Sequence, residues 1–249
     1  MNTVLITGCS SGFGLETARL FLDRGWNVVA TMRTPRDDLL PPSERLRVLA
    51  LDVTDAASIA RAVDAAGPID VLVNNAGAGL LGVLEGTTDD TVRALFETNT
   101  FGTMALTRAV LPQFRARGAG VVVNVSSAVT LKSLPLLAVY TASKAAVNAF
   151  TESLALELAP FGIRTHLVLP GAAPSTRFGA TARELMAQNA IPEAYAGFAR
   201  DVFGTMGQRT LVTESLDVAQ AVWRAATDPQ APMRMPAGAD ALALADAGR

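Results

Sequence analysis

A tyrosine and a lysine four positions apart, Tyr140 and Lys144, are the pair in this sequence best suited to proton transfer. They stand at the start of a stretch that predicts a helix, and side chains at i and i+4 of a helix share one face. An ammonium group beside a phenol favours the phenolate, so the spacing predicts a lowered pKa for Tyr140 and an acid/base role. Arginine dominates the basic residues here, and a lysine at this place suits a proton relay that arginine cannot fill.

A serine upstream of this pair is suited to polarise a substrate oxygen. Ser127 follows a predicted strand over residues 121–125 and precedes Tyr140 by thirteen positions. The carboxyl ends of strands in an open parallel sheet face the ligand crevice, and a hydroxyl there can hydrogen-bond an oxygen on which charge develops. Ser126 is the alternative, and the spacing favours Ser127.

A glycine-rich turn, residues 7–14, follows the first predicted strand and opens the first helix. Glycine lets the backbone turn tightly and approach a pyrophosphate, whose charge a helix N-terminus favours. The G-x-x-x-G-x-G spacing differs from the broader G-x-G-x-x-G fingerprint, and an ordinary strand-to-helix turn is the alternative. The position of the turn favours a dinucleotide site. The predicted cofactor-binding residues in it are Gly8, Ser10, Ser11, Gly12, Phe13 and Gly14.

The end of the second predicted strand indicates which dinucleotide binds. An acidic residue there would bond the adenosine ribose 2′-hydroxyl, whereas this chain has Met32 and then Arg33, with Arg36 close behind. An arginine fork matches phosphate oxygens, so Arg33 predicts NADP(H), with NAD less favoured. The alternative is that Arg33 is only solvated.

Short apolar runs alternate with longer amphipathic stretches along the chain. The runs predict strands over residues 4–6, 27–32, 47–51, 71–73, 121–125 and 165–169. The stretches between them predict helices over residues 15–24, 58–66, 92–117 and 142–159. Continuously apolar strands are typical of a parallel sheet covered on both faces. The pattern predicts an α/β, Rossmann-type, doubly wound parallel sheet with helices on both faces, in a single domain over residues 1–249.

One segment, residues 174–211, breaks this rhythm and predicts a lid over a pocket. It has no strand pattern, and its scattered apolar side chains include Phe178, Met186, Ile191, Tyr195, Phe198, Phe203 and Met206. An apolar lid predicts a hydrophobic or aromatic substrate, because matching surface supplies affinity and closure excludes water. The alternative is that these side chains pack on the core of the domain.

Composition excludes several functional classes. The 21 basic and 23 acidic residues give a net charge of −2, so neither nucleic acid nor an anionic membrane surface is an expected partner. One cysteine and one histidine predict no disulfide framework and no metal site, and we expect Cys9 to fill space and His166 to be structural. Without an apolar run of roughly 18 residues or a signal-peptide pattern, we expect a cytoplasmic protein.

The combined motifs resemble those of the short-chain dehydrogenase/reductase family, in its single-domain branch. The resemblance runs from the turn at residues 7–14 to the helix start at residues 217–219. The motifs between them, in family order, are Asp52-Val53, Asn74-Asn75-Ala76-Gly77, Asn99, Ser127, Tyr140, Lys144 and Pro170-Gly171. Residues 76–82 and 235–241 look most like the branch containing hydroxysteroid and retinol dehydrogenases.

The resemblance implies roles for the matching residues. Tyr140 would be the acid/base, Lys144 would lower its pKa and bond the nicotinamide ribose, and Ser127 would orient the carbonyl. Asn99 would hold a helix kink and a water in a proton relay. The remaining implied cofactor contacts are Asp52, Val53, Asn74, Ala76, Gly77, Pro170, Gly171 and Ala173. The resemblance also implies Leu80, Leu81 and Leu134 as further candidates for the pocket wall.

The chain also departs from the family pattern. Thr130 stands where a glycine is usual, and Ala173 and Ser175 replace a β-branched residue and a threonine, with Thr176 adjacent. The helices over 92–117 and 142–159 correspond to the family's oligomer interface, so a homodimer or homotetramer is expected. The implied reaction interconverts a ketone or aldehyde with its alcohol. Reduction of a 3-oxoacyl thioester is the alternative, and a dinucleotide-binding sensor without turnover is the alternative from another class.

Overall fold

A parallel sheet forms the centre of the computed structural model, which describes residues 2–176, 179, 182, 189–207 and 210–247. Within these residues seven strands pair in the order β3-β2-β1-β4-β5-β6-β7, and every pair is parallel. The strands are β1 (Thr3–Thr7), β2 (Asn27–Met32), β3 (Leu46–Ala50), β4 (Val71–Asn74), β5 (Gly120–Val125), β6 (Ile163–Pro170) and β7 (Arg234–Ala237). The predicted doubly wound α/β sheet is confirmed.

Helices cover both faces of this sheet. The described α-helices are α1 (Gly12–Asp23), α2 (Ala56–Ala66), α3 (Asp89–Phe96), α4 (Gly102–Arg117), α5 (Ala138–Leu158), α6 (Ala196–Gly207), α7 (Ser215–Thr227) and α8 (Ala239–Ala247). A single π-helical turn, Glu97–Phe101, joins α3 to α4. None of the helices in the described ranges combines the length and the apolarity that crossing a membrane requires.

Successive residues of each strand enter two different cores. Val4 and Ile6 of β1 pack in one core with Phe21 of α1 and Val222 of α7. Leu5, between them, packs in the other core with helices α2, α4 and α5. Because both faces are covered, the strands are largely apolar on both faces, which is the pattern that made most of them predictable.

The strand order reverses beside β1, and this reversal places the site. β1 pairs with β2 on one side and with β4 on the other, so the loops leaving β1 and β4 diverge toward opposite faces of the sheet. In open α/β sheets the crevice outside the carboxyl ends of such strands is where ligands bind. The glycine-rich turn after β1 lies at this point.

Two of the differences from the sequence-based expectation have a clear physical reason. The helix expected over residues 92–117 is two helices separated by the π turn, because one extra residue is accommodated at Glu97–Phe101. β7 was not predicted, because it is only four residues long and contains Pro236, which as an edge-strand residue breaks the apolar pattern.

His166 has the structural role expected from its apolar surroundings. It is buried in β6, where its ring nitrogens lie 3.1 Å from the carbonyl oxygen of Pro232 and 3.1 Å from the Arg164 guanidinium. Arg164 in turn donates to the carbonyl oxygens of Ala225 and Ala226 at the end of α7, at 3.1 and 3.0 Å. Burial lowers the pKa of His166, which favours the neutral ring.

Candidate active site and cofactor cleft

The crevice at the carboxyl ends of β1 and β4 is a cleft of about 860 Å³, bounded by described residues. This volume lies within the range of small-molecule and cofactor sites. The predicted cofactor-binding residues that line it are Gly8, Ser10, Ser11, Gly12, Phe13, Arg33, Asp52, Val53, Ala76 and Gly77. The cleft therefore joins the turn after β1, the ends of β2 and β3, and the loop after β4.

Glycine is required in the turn for two different reasons. Gly8 and Gly12 have φ angles of +74° and +58°, in the left-handed region that side chains disfavour. Gly14 lies in the first turn of α1, where a Cβ would overlap the carbonyl oxygen of Gly8 and the side-chain amide of Asn75. Gly14 thus permits close packing of the turn and is absent from the cleft lining, in contrast to the other predicted residues of the turn.

The turn is tied to the end of β4 by Thr7 and Asn75. The Thr7 hydroxyl oxygen accepts from the backbone N–H groups of Asn75 and Ala76, at 2.9 and 2.8 Å. The Asn75 amide donates to the Thr7 carbonyl oxygen at 2.8 Å. Both residues line the cleft and were not predicted. Side chains along β4 alternate between the two faces of the sheet. Because Val71 and Val73 face α1, Asn75 is expected on the same side, and this alternation is the sequence signal that could have identified it.

Asn74, the predicted residue, lies on the opposite face of β4. Its buried amide donates to the Thr107 hydroxyl of α4 at 2.9 Å and to the Asn124 side-chain oxygen of β5 at 2.8 Å. Asn74 therefore joins two strands and a helix and does not line the cleft.

The opposite end of the cleft carries one arginine and one aspartate. Asp52 accepts from the backbone N–H and the hydroxyl of Thr54, at 2.9 and 2.7 Å, and these bonds hold the pKa of its carboxyl below the ordinary value. Arg33 is exposed and lines the cleft. Arg36 instead pairs with Asp38 at 2.8 Å. Of the two arginines, the one predicted to bind phosphate is the one that the cleft contains.

Ser127, Tyr140 and Lys144 come together at the junction of β5 and α5. Ser127 follows β5, and its side chain is hydrogen-bonded to that of Tyr140 in the first turn of α5. The Lys144 amine, one helical turn further, donates to the carbonyl oxygen of Val125 at 3.0 Å. A Cβ on the cleft residue Gly77 would lie 3.4 Å from this amine, so the amine sits directly behind the cleft wall.

Burial dominates the electrostatics of this group. It raises the pKa of Tyr140 to about 12, and the hydrogen bond with Ser127 opposes the rise. This direction is opposite to the lowering predicted from the spacing, because the phenol is buried among aliphatic side chains such as Leu80 and Leu95. Burial also lowers the pKa of Lys144 to about 8. The amine is therefore still mostly charged at neutral pH.

Asn99 lies in the π turn and connects the loop after β4 to α5. Its side-chain oxygen accepts from the N–H of Ala78 at 2.8 Å, and its amide donates to the Ala78 carbonyl oxygen at 2.9 Å and to the Ser143 hydroxyl at 3.1 Å. The Ser143 hydroxyl donates to the Tyr140 carbonyl oxygen at 2.7 Å. Asn99 thus lies at a helix irregularity, and through Ser143 its contacts reach the backbone of Tyr140.

The geometry favours Ser127 over Ser126 as the serine that contacts Tyr140. The Ser126 hydroxyl is buried and donates to the Lys144 carbonyl oxygen at 3.3 Å, away from the Tyr140 phenol. Thr130, the departure from the family glycine, donates to the Ser127 carbonyl oxygen at 2.7 Å and accepts from the Asn148 amide at 2.9 Å. Thr130 thus links the loop that carries Ser127 to α5.

The loop after β6 reaches the cleft through a residue that was not predicted. Pro170, Gly171 and Ala173 are not among the described residues that line the cleft. Thr176 lines it, opposite Gly12, and its N–H and hydroxyl both donate to the Ala173 carbonyl oxygen, at 3.1 and 2.9 Å. The family usually has threonine at the position of Ser175, and Thr176 is the next residue. This offset by one residue is the sequence signal that could have identified Thr176.

The segment expected to form a lid contains α6. Ile191, Tyr195 and Phe203 pack with Val83 and Leu136, which favours the core-packing alternative for these side chains. Phe198 is about half exposed, and Phe178 and Met186 lie outside the described residues. Leu80 is buried against Tyr140, as expected of a residue beside the site.

Cys9 lies inside the turn but faces the core. It is fully buried, its thiol donates to the Ile6 carbonyl oxygen at 3.3 Å, and burial raises its pKa to about 12. These contacts agree with a space-filling role.

Comparison with known proteins gives one family throughout. A family model described as short chain dehydrogenase matches residues 2–186. The uncharacterized oxidoreductase YusZ of Bacillus subtilis is 41% identical over 202 residues, with 77% of this chain and 72% of that protein covered. Human retinol dehydrogenase 8 is 37% identical over 257 residues, covering 93% and 80%. Human 17-beta-hydroxysteroid dehydrogenase type 1 is 42% identical over 179 residues, covering 66% and 55%.

Solved structures agree with this assignment. A short-chain dehydrogenase from Streptomyces avermitilis has a TM-score of 0.84 and 36% identity, covering 99% of this chain and 91% of that one. A short chain dehydrogenase from Burkholderia cenocepacia in complex with NADP gives 0.78 and 28%, covering 98% and 91%. A 3-ketoacyl-(acyl-carrier-protein) reductase from Brucella melitensis complexed with NADH gives 0.76 and 29%, covering 94% and 95%.

The buried amine of Lys144 predicts a pH-dependent stability difference. Its pKa is about 8 in the folded chain and 10.5 ordinarily, so burying the charge destabilises the fold below pH 8, and this penalty disappears as pH rises to 10.5. Relative to Lys144→Met, the wild-type free energy of unfolding should therefore increase by roughly 3 kcal/mol between pH 7 and pH 10.5.

Urea denaturation without added dinucleotide measures this difference. Lys132→Met, at an exposed lysine, is the matched control and should show a constant difference from wild type. A constant difference for Lys144→Met as well would contradict the burial of its charge.

Proposed function

We propose, from the premise that this chain belongs to the short-chain dehydrogenase family, that it interconverts a ketone or aldehyde with its alcohol using NADP(H). Members of the family are oxidoreductases that act on an alcohol or ketone with a nicotinamide dinucleotide. The observation that carries the proposal is the hydrogen bond between Ser127 and Tyr140, with the Lys144 amine one helical turn away and directly behind Gly77.

The turn between β1 and α1 fits the pyrophosphate of such a cofactor. Gly8 and Gly12 expose backbone at φ angles above zero, and α1, which follows, is twelve residues long and directs its positive end toward the turn. Ser10 and Ser11 add hydroxyls to the same wall. These groups would hold the phosphates, while Ala76 and Gly77 would border the ribose without side-chain obstruction.

A 2′-phosphate is favoured at the other end of the cleft. Arg33 is exposed there and has no carboxylate bonded to it among the described ion pairs, whereas the acidic residue nearby, Asp52, is already engaged by Thr54. A guanidinium binds phosphate oxygens through paired N–H donors. Arg33 would therefore supply the preference for NADP(H) over NAD(H).

Tyr140 would transfer the proton at the substrate oxygen. The dinucleotide supplies the hydride in reduction and accepts it in oxidation. A phenol with a pKa of about 12 is protonated at neutral pH and can give its proton to the carbonyl oxygen as negative charge develops there. Ser127 would orient that oxygen, and the Lys144 ammonium would stabilise the tyrosinate left behind.

The surroundings of Tyr140 support an apolar substrate. Its ring packs with Leu80 and Leu95, and Ala78, Val129, Leu137 and Val139 complete the cluster. All of these side chains are aliphatic, so a bulky apolar ketone would gain burial energy beside the reacting oxygen. The lid expected over residues 174–211 stays a prediction, since Ile191, Tyr195 and Phe203 pack with Val83 and Leu136.

Two further expectations accompany this proposal. The helices α4 and α5 would form a homodimer or homotetramer interface, and the 79% exposure of Leu156 on α5 supports this because a leucine gains stability when such a surface is covered. The cytoplasmic location stays a prediction from sequence.

Replacing Tyr140 by phenylalanine tests the acid/base role. We expect Tyr140→Phe to lower kcat by at least about 10²-fold, because the transferable proton is lost while the ring remains, and to leave NADPH affinity nearly unchanged. Tyr195→Phe, at the other tyrosine, is the control and should retain activity. Unchanged turnover in Tyr140→Phe would refute the mechanism, and wild-type protein that binds NADPH but turns over none of a broad carbonyl panel would favour the sensor.

Replacing Arg33 by aspartate tests cofactor choice. The carboxylate would repel a 2′-phosphate and accept from a ribose 2′-hydroxyl, so the ratio of kcat/KM for NADPH to that for NADH should fall by about 10²-fold or more. Arg36→Asp serves as the control, since Arg36 is already paired with Asp38. Equal ratios in Arg33→Asp and wild type would show that another group reads the phosphate.

A substrate panel separates the two enzymatic alternatives. Apolar ketones, steroid ketones, retinal and 3-oxoacyl thioesters are each offered with NADPH and with NADH, and kcat/KM is measured. The aliphatic cluster around Tyr140 predicts that the bulky apolar carbonyls rank first. Robust thioester reduction together with failure on every apolar ketone would reverse this ranking.

A further inference from the structure

We infer that Asp240, in the first turn of α8, is a positioning residue that holds the loop after β6 against the cofactor cleft. Its carboxylate bonds both to the backbone of that loop and to Thr213, which bonds the loop a second time. The inference rests on the proposed function for the identity of the ligand. Both Asp240 and Thr213 lie beyond residues 2–186, the part of the chain that the family model matches.

The carboxylate is shared between two donors. One oxygen of Asp240 accepts from the N–H of Ala172 at 2.6 Å, and the other accepts from the Thr213 hydroxyl at 2.7 Å. Hydrogen bonds to an ionised acceptor are shorter and stronger than neutral ones. Asp240 thus fixes the loop and orients Thr213 at the same time.

Thr213 supplies the second connection to the loop. It is fully buried, its hydroxyl oxygen accepts from the N–H of Gly171 at 2.9 Å, and its own N–H donates to the Ala172 carbonyl oxygen at 2.8 Å. Three polar groups of the loop, the N–H of Gly171 and the N–H and carbonyl of Ala172, are therefore bonded by two residues from the C-terminal part of the chain. An irregular loop with every one of these groups bonded is held in one conformation.

Two glycines leave room for this arrangement. A Cβ on Gly171 would overlap the Asp240 carboxylate, and a Cβ on Gly238 would overlap Thr213. Gly238 also has a φ angle of +98°, which lets the chain turn directly from β7 into α8. The family resemblance accounts for Gly171 by its contact with the nicotinamide, whereas the geometry adds that Asp240 needs the same space.

The bonded loop leads directly to the cleft. Ala173 follows Ala172, and its carbonyl oxygen accepts both donors of Thr176, the residue that lines the cleft opposite Gly12. A displacement of the Asp240 side chain would therefore be transmitted through Ala172, Ala173 and Thr176 to the wall of the cleft. The turn that would hold the phosphates belongs to another element. It meets this loop where Gly12 faces Thr176, and no hydrogen bond joins it to Asp240 within the described residues.

The inference is tested with Asp240→Asn and two ligands, NADPH and adenosine 2′,5′-bisphosphate, which differ in how much of the cleft they fill. Asparagine keeps the size of the side chain but replaces one acceptor by a donor. We expect the Kd for NADPH, followed by its fluorescence, to rise about tenfold, the effect of one hydrogen bond to a charged group. Adenosine 2′,5′-bisphosphate, which carries the adenosine end alone, should bind within about twofold of wild type. Hydrogen exchange of the peptide spanning residues 169–176 should become faster.

Matched variants keep the result interpretable. Asp246→Asn changes an exposed aspartate of the same helix and should match wild type in all three measurements. If Asp240→Asn does not fold, Thr213→Ser and Thr213→Val replace it: serine keeps the hydroxyl and should resemble wild type, whereas valine should reproduce the selective loss for NADPH.

The outcomes also separate this inference from the proposed function. Equal weakening of both ligands, or no change in either ligand or in exchange, would overturn the positioning role while wild-type turnover left the proposed function intact. Wild-type protein that binds no nicotinamide dinucleotide would overturn both.

Discussion

An amine held out of water is the constraint on which the rest of the site depends. The Lys144 amine donates to the carbonyl oxygen of Val125 at 3.0 Å, and Gly77 places no side chain over it. A charged amine in such surroundings destabilises the fold, and this cost of burying the charge lowers the pKa of Lys144 to about 8. Under the proposed function, this cost would be offset by the chemistry that a fixed charge one helical turn from Tyr140 supports.

A continuous set of buried polar contacts positions this amine and its neighbours. Asn74 of β4 and Asn124 of β5 are bonded to each other, and Asn124 donates to Thr151 of α5 at 2.8 Å. On the other helix, Thr103 donates to the Asn99 carbonyl oxygen at 2.9 Å, which extends the contacts to the π turn. The interior therefore specifies how α4 and α5 lie against the sheet, and apolar packing alone would specify this less well.

Spacing in the sequence predicted which residues meet, but not how their surroundings act on them. The i, i+4 relation of Tyr140 and Lys144 and the turn at residues 7–14 follow from local geometry, and both are present. The direction of the Tyr140 pKa was missed because it depends on the aliphatic cluster around the ring, which no local pattern reports. Asp240 was missed for a related reason: its partner Ala172 is 68 positions away, and the strand that brings it there is too short to predict.

The seclusion of Cys9 has a practical meaning. The chain has one cysteine, its thiol stays protonated across the physiological range, and it lies behind the turn that faces the cleft. Alkylating and oxidising reagents act on thiolates, so they find no reactive partner at this position. The protein is therefore suited to site-directed labelling. A cysteine introduced on its surface would carry a fluorophore or spin probe without competition from Cys9.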